Sequence, residues 1–157
     1  MIHCYNDLGK AIPVAPELVQ FRPAVYGILI DEYGQVLLLH HTKTDLWHPP
    51  GGILSTQETP KQAVRVHFRR IMGSTPQVGS LLHIENQYHI TDDEQAWHLC
   101  IMYYAMEKPT LSTTTLGESV DADIDARWVP IPELDRTKIQ FGWEAIQAGQ
   151  LQQKLSK

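Results

Sequence analysis

The stretch "PPGGILSTQETPKQAVRVHFRRIMGS", Pro49 to Ser74, decides how the rest of the chain is read. It opens on two prolines and two glycines. Gly51 and Gly52 carry no Cβ, so their backbone can come close to a ligand. Thr59 is placed to cap a helix, and Pro60 suits its first position. Val64, Phe68, Ile71 and Met72 follow at i, i+4, i+7 and i+8, which is one buried helical face. Gly73 is a natural stop. The segment therefore predicts a glycine loop feeding an amphipathic helix.

Upstream, "AVYGILID" (residues 24–31) and "VLLLHH" (residues 36–41) are short apolar runs rich in β-formers. "EYGQ" lies between them, with Gly34 able to take a positive φ, so the pair predicts a β-hairpin. "TKTDLWHPPGG" reads as a loop. Pro13, Pro16 and Pro23 break up the start of the chain, and residues 1–21 read as an irregular arm or a short edge strand. Downstream, "GSLLHIENQYHI" and "QAWHLCIMYYAME" predict two strands around the turn "TDDE". "ARWVPIPEL" predicts a strand and turn, and "FGWEAIQAGQLQQKL" a helix. Strands, helix, strands, helix is an α+β order. The expected organisation is a single domain over residues 1–157: the arm 1–21, a core 22–135 and a C-terminal helical segment 136–157.

Composition narrows the function classes. With 43% hydrophobic residues the chain can bury a core. No apolar run reaches the roughly 18 residues of a membrane span. "MIHCYNDLGK" lacks the pattern of a secretory signal. Cys4 and Cys100 are two distant thiols rather than a disulfide framework, which fits a reducing, cytoplasmic setting. The formal net charge of −5 argues against general nucleic-acid binding, which needs a basic face. A small phosphorylated ligand in a local basic pocket stays compatible with it.

The spacing of Gly52, Glu58 and Gly73 resembles the signature of the Nudix hydrolases, G-x5-E-x7-R-E-U-x-E-E-x-G-U, where U is bulky and apolar. Ala63 and Phe68 fit its packing positions, "LWHPPGG" resembles the family's approach to the box, and "ESVDADIDARWVPIPEL" resembles the segment that follows it. The resemblance spans residues 24–134. It implies an α/β/α sandwich with a mixed sheet between helices. It also implies cleavage of a pyrophosphate bond in a nucleoside diphosphate derivative, with Mg²⁺ or Mn²⁺ as cofactor.

The chemical positions depart from that signature. Val66 stands at the arginine position, and His67, Arg70 and Ile71 stand where three glutamates belong. Ser74 stands at the last apolar position. Positions i, i+3 and i+4 share one helix face. Three carboxylates there gather a hard dication, which prefers oxygen ligands. An imidazole, a guanidinium and an aliphatic chain change the formal charge of that face from −3 to about +1 with His67 neutral.

The candidate residues follow. Glu58, His67 and Glu118 are the catalytic candidates. Gly52, Glu118 and Asp125 are the metal candidates, the last two from an acidic stretch that also holds Asp121 and Asp123. The resemblance implies a loop glutamate there that assists the metal or acts as base, against a simple solvated loop. Trp47, His48, Gly51, Gly52 and Arg70 are the ligand-binding candidates. Arg70 can grip a phosphate with its planar fork and no metal. His48 and His67, among eight histidines, are the pair expected to meet in the cleft. Lys61 and Arg65 read as a solvated helix face. Three functions remain open at this point: a pyrophosphohydrolase with an altered box, a binding or regulatory module for a nucleotide-like ligand, and an interaction platform, with a homodimer possible.

Overall fold

The structure is a computed structural model, and it describes residues 1–108 and 122–156. Its spine is the strand β3, Val19–Leu29. From Ala24 onward the strand is apolar at consecutive positions because both of its faces are buried there. Ala24 and Ile28 pack on one side with Ala145 and Ile146 of the helix α2, Trp143–Leu155. Val25 and Leu29 pack on the other with Ala63, Val64 and Phe68 of the helix α1, Pro60–Met72. This is the expected mixed sheet between two helices. Among the described residues no helix is long and apolar enough to cross a membrane.

The remaining strands are β1 (Ile2–Tyr5), β2 (Ala11–Val14), β4 (Gln35–His41), β5 (Leu46–His48), β6 (Gly51–Ile53), β7 (Gln77–Ile90), β8 (Ala96–Glu107) and β9 (Ile124–Pro130). They form a six-stranded sheet in the order β2-β1-β7-β8-β3-β6 and a three-stranded sheet in the order β5-β4-β9. β3 runs parallel to β8 along its whole length and antiparallel to β6.

The helix that follows the glycine loop ends where its caps require. Thr59 accepts from the Gln62 amide (3.3 Å), and Gln62 accepts from the Thr59 amide (3.0 Å), a reciprocal capping box. Gly73 closes the helix in the left-handed region at φ +74°. The helix crosses β3 at Gly27, where a Cβ would stand 2.4 Å from the Phe68 ring. Glycine is what allows that approach.

Four local expectations change. The arm is ordered: β1 and β2 pair as a hairpin around Asn6, whose carboxamide oxygen accepts from Leu8 and Lys10. Buried Cys4, Val14, Ile90 and Ala96 give it a small core of its own, and β3 begins at Val19 rather than Ala24. The predicted β3–β4 turn forms, with Asp31 Oδ1 accepting from Tyr33 and Gln35. Beyond the single bridge Ile30–Val36, however, the two strands part into different sheets. Both runs have two apolar faces, and an isolated ribbon could not cover them. The loop "TKTDLWHPPGG" contains β5 and the start of β6. Finally, the C-terminal helix begins only at Trp143. Residues Arg136–Lys138 form a 3-10 turn capped by Asp135, and Gly142 at φ +96° redirects the chain.

Candidate functional site

The glycine loop is held by both backbone and side chain. Gly51 pairs with Tyr26 and Gly52 with Val25. A Cβ on Gly51 would lie 2.1 Å from the Val25 carbonyl oxygen, so this position accepts no side chain. A Cβ on Gly52 would lie 2.9 Å from Cε1 and Nε2 of His67, so the imidazole covers the bare backbone there. Glu58 closes the loop by accepting from the Ser55 amide (3.1 Å). His67 has its pKa lowered, first by partial burial and then by the charge of Arg70, against an opposing pull from Glu58. The three predicted residues are therefore electrostatic neighbours, and His67 is neutral at pH 7. Arg70 is exposed in the last turn of α1 and has no ion-pair partner among the described residues. Ile71, one step on, is only 7% exposed and belongs to the core.

This donor set does not fit a hard dication. None of positions 67, 70 and 71 offers a carboxylate, and Glu58 is engaged with the loop. Glu118 and Asp121 lie outside the described residues. Asp125 does not join the box: it sits opposite His40 on the β4–β9 pair and faces Arg127 (3.6 Å). The next pair along, Leu39 and Ala126, turns toward the α1 core, so strand alternation points Asp125 the other way.

The expected meeting of His48 and His67 does not occur, because β3 and β6 lie between them. His48 packs on the α2 side, stacked on Phe141 (4.7 Å) and edge-on to Tyr26 (6.0 Å). Its Nδ1 lies 2.7 Å from the Pro49 carbonyl and its Nε2 lies 2.7 Å from Nε2 of His41. A carbonyl can only accept, so neutral His48 carries its proton on Nδ1 and accepts from His41. Trp47 does not stand free to stack on a base either. It stacks on His40 (4.1 Å) and packs against the α2-side core.

Burial, reinforced by the nearby His41 and opposed by the Pro49 bond, pushes His48 down to about 4 from 6.5. Between these values the unfolded chain binds a proton that the folded chain does not, so stability rises with pH there. It is fully present above about pH 6.5 and is lost as pH falls toward 4. The loss amounts to about 2–3 kcal/mol. Urea melts from pH 7 to 4.5 should show this slope, and His48→Gln should flatten it. An unchanged slope in that variant would remove His48 as its cause.

A second concavity lies on the α2 side of β7, lined by none of the site candidates drawn from the sequence. It holds about 610 Å³ and is lined by His83, Glu85, Gln87, Arg136, Phe141 and Glu144. The signal available was polar alternation at 83, 85 and 87 in a strand that also carries apolar residues. The 59-residue separation of Glu85 and Glu144 hid the rest.

Comparison with known proteins agrees with the fold. The model of the NUDIX domain matches residues 20–148. No curated protein matches the chain significantly. Among solved structures, a MutT NUDIX hydrolase from Burkholderia pseudomallei is similar at 20% identity, with a TM-score of 0.58 over 74% of this chain and 88% of that one. The MutT protein from Methanosarcina mazei Go1 gives 17% identity and 0.60 over 88% and 98%. A MutT protein from Bacillus halodurans gives 17% identity and 0.62 over 80% and 78%. At these identities the structures speak for the fold alone, and the domain match, which covers most of the chain, speaks for the family. With the loop–helix geometry of Gly52, Glu58 and Gly73, it shows that the chain belongs to the NUDIX domain family.

Proposed function

We propose that the chain binds a phosphorylated, nucleotide-like small molecule at the glycine loop and the end of α1, and that the family's metal-assisted pyrophosphate hydrolysis is weak or lost. One observation carries this reading: the face that would hold three carboxylates holds the imidazole of His67 against Gly52, the exposed guanidinium of Arg70 and the buried Ile71.

That face suits an anion. Arg70 offers parallel N–H donors whose geometry matches two phosphate oxygens. His67, neutral at pH 7, offers a neutral ring nitrogen to the same group. The bare Gly51–Gly52 backbone leaves room for β3 and for the His67 ring rather than for the ligand itself, so the side chains of His67 and Arg70 make the contact. Hydrolysis would further need an activated water. A hard metal has no carboxylate set at positions 67, 70 and 71, and the other acid that the resemblance implies, Glu118, lies outside the described residues.

Calorimetry with an ADP-linked compound, with Mg²⁺ and with a chelator, tests the reading. Binding should persist with the chelator. Arg70→Ala should weaken it about 10–100-fold, the range of hydrogen bonds to a charged group. A strict requirement for Mg²⁺ would overturn the proposal. So would metal-dependent phosphate release that Glu58→Gln or Glu118→Gln abolishes, which would establish the hydrolase instead.

A further inference from the structure

We propose that His83, Glu85 and Glu144 form a binding site for a borderline transition-metal dication of the zinc class, separate from the altered box. The ring nitrogen of His83 and one carboxylate oxygen from each glutamate lie within 4.8 Å of one another. Zinc takes nitrogen and oxygen ligands at roughly 2.0–2.2 Å, which sets ligand atoms about 3.4 Å apart. Closing a separation of that size takes about 1.4 Å, within reach of side-chain torsions.

The backbone is shaped to bring these groups together. β7 pairs Leu81 with Tyr104 and His83 with Tyr103, so Leu82 is an extra residue, a bulge. The bulge resets the strand's alternation. Leu82 packs into the α2-side core, and His83 turns to the same side, against Tyr103 (6.2 Å). Glu85, two residues on, shares that face. α2 delivers Glu144 from its first turn.

The carboxylates are also held from behind. Glu85 accepts from the Tyr103 hydroxyl (3.3 Å) and from Gln87. Glu144 faces Arg136 (3.4 Å). Partners of this kind orient metal ligands. None of the described residues hydrogen-bonds the His83 ring, which leaves a nitrogen for a metal. One imidazole with two carboxylates selects zinc-class ions over magnesium, whose ligands are oxygens. Three protein ligands leave a fourth position open, and all three residues line the 610 Å³ cavity.

The test uses the full chain and metal alone, with no nucleotide, so it reads independently of the Arg70 site. Calorimetric titration should show one saturable Zn²⁺ and no comparable Mg²⁺ binding, and Co²⁺ should give the absorption of a tetrahedral site. His83→Ala and the exposed-site variant Glu144→Gln should each weaken Zn²⁺ at least ~10-fold. His67→Ala and His41→Ala should leave it unchanged. Absence of saturable Zn²⁺ binding overturns the proposal. So does affinity that survives both His83→Ala and Glu144→Gln, or that disappears in His67→Ala or His41→Ala.

Discussion

Ile71→Glu is expected to cost roughly 4 kcal/mol of stability at neutral pH and to restore no metal chemistry. Ile71 stands at a position where the family signature places a glutamate, yet it is 7% exposed and packs with Val25, Leu29 and Phe68. Two effects add. The apolar contact is lost, at about 1.5–3 kcal/mol for a buried aliphatic side chain. A carboxylate must then sit in the core or pull the last turn of α1 outward, at a further cost of a few kcal/mol at most before it protonates, roughly. Burial raises the folded pKa of such a group above its unfolded value of about 4.3. The penalty is therefore absent at low pH and grows as pH rises above that value. Urea melts at pH 7 and pH 4 should show a large deficit that shrinks on acidification. Arg70→Glu, on the exposed face, should change stability by no more than about 0.5 kcal/mol. A deficit below about 1 kcal/mol for Ile71→Glu would mean that the position still opens to the cleft.

Gly51→Ala should cost more than about 3 kcal/mol, beyond ordinary overpacking. Most crowded side chains find relief by moving a neighbouring side chain. Here the new Cβ meets the Val25 carbonyl oxygen at 2.1 Å and the Tyr26 Cα at 2.6 Å, both backbone. β6 would have to leave β3, and with it the bonds from Gly27 to Pro50 and from Leu54 to Pro23. Gly34→Ala provides the contrast. Nothing lies within 4 Å of its new Cβ, and only the positive φ of +76° is penalised, by about 1–2 kcal/mol. Thermal melts of the two variants should differ clearly, and equal losses would mean that β6 is loosely held.

Much of the local structure was legible because its causes are local. Thr59, Pro60 and Gly73 bound α1 from the sequence, since a cap needs only its own neighbours. The spacing of Gly52 and Glu58 likewise placed the loop. What failed depended on partners far away in the chain. Whether "AVYGILI" and "VLLLHH" stay one ribbon is decided by two helices and a second sheet. His48 and His67 both flank the glycines in sequence, but the sheet passes between them, and no spacing rule shows which side a short strand such as β5 presents. The His83–Glu85–Glu144 group needed both a bulge and a helix from the end of the chain. Polar alternation hinted at its first two members and was silent on the third.

The ends of the six-stranded sheet bear on how the molecule meets copies of itself. One border is β2, four residues long, with the exposed Pro13 supplying no amide hydrogen. The other is β6, three residues long and preceded by Pro49 and Pro50. A neighbouring strand docking at either border would find few donors in a row, and proline and short length are features that blunt such templates. Growth of this sheet from molecule to molecule is therefore disfavoured at both borders. At these two borders a contact between copies would rest on side chains rather than on a shared ladder of backbone hydrogen bonds.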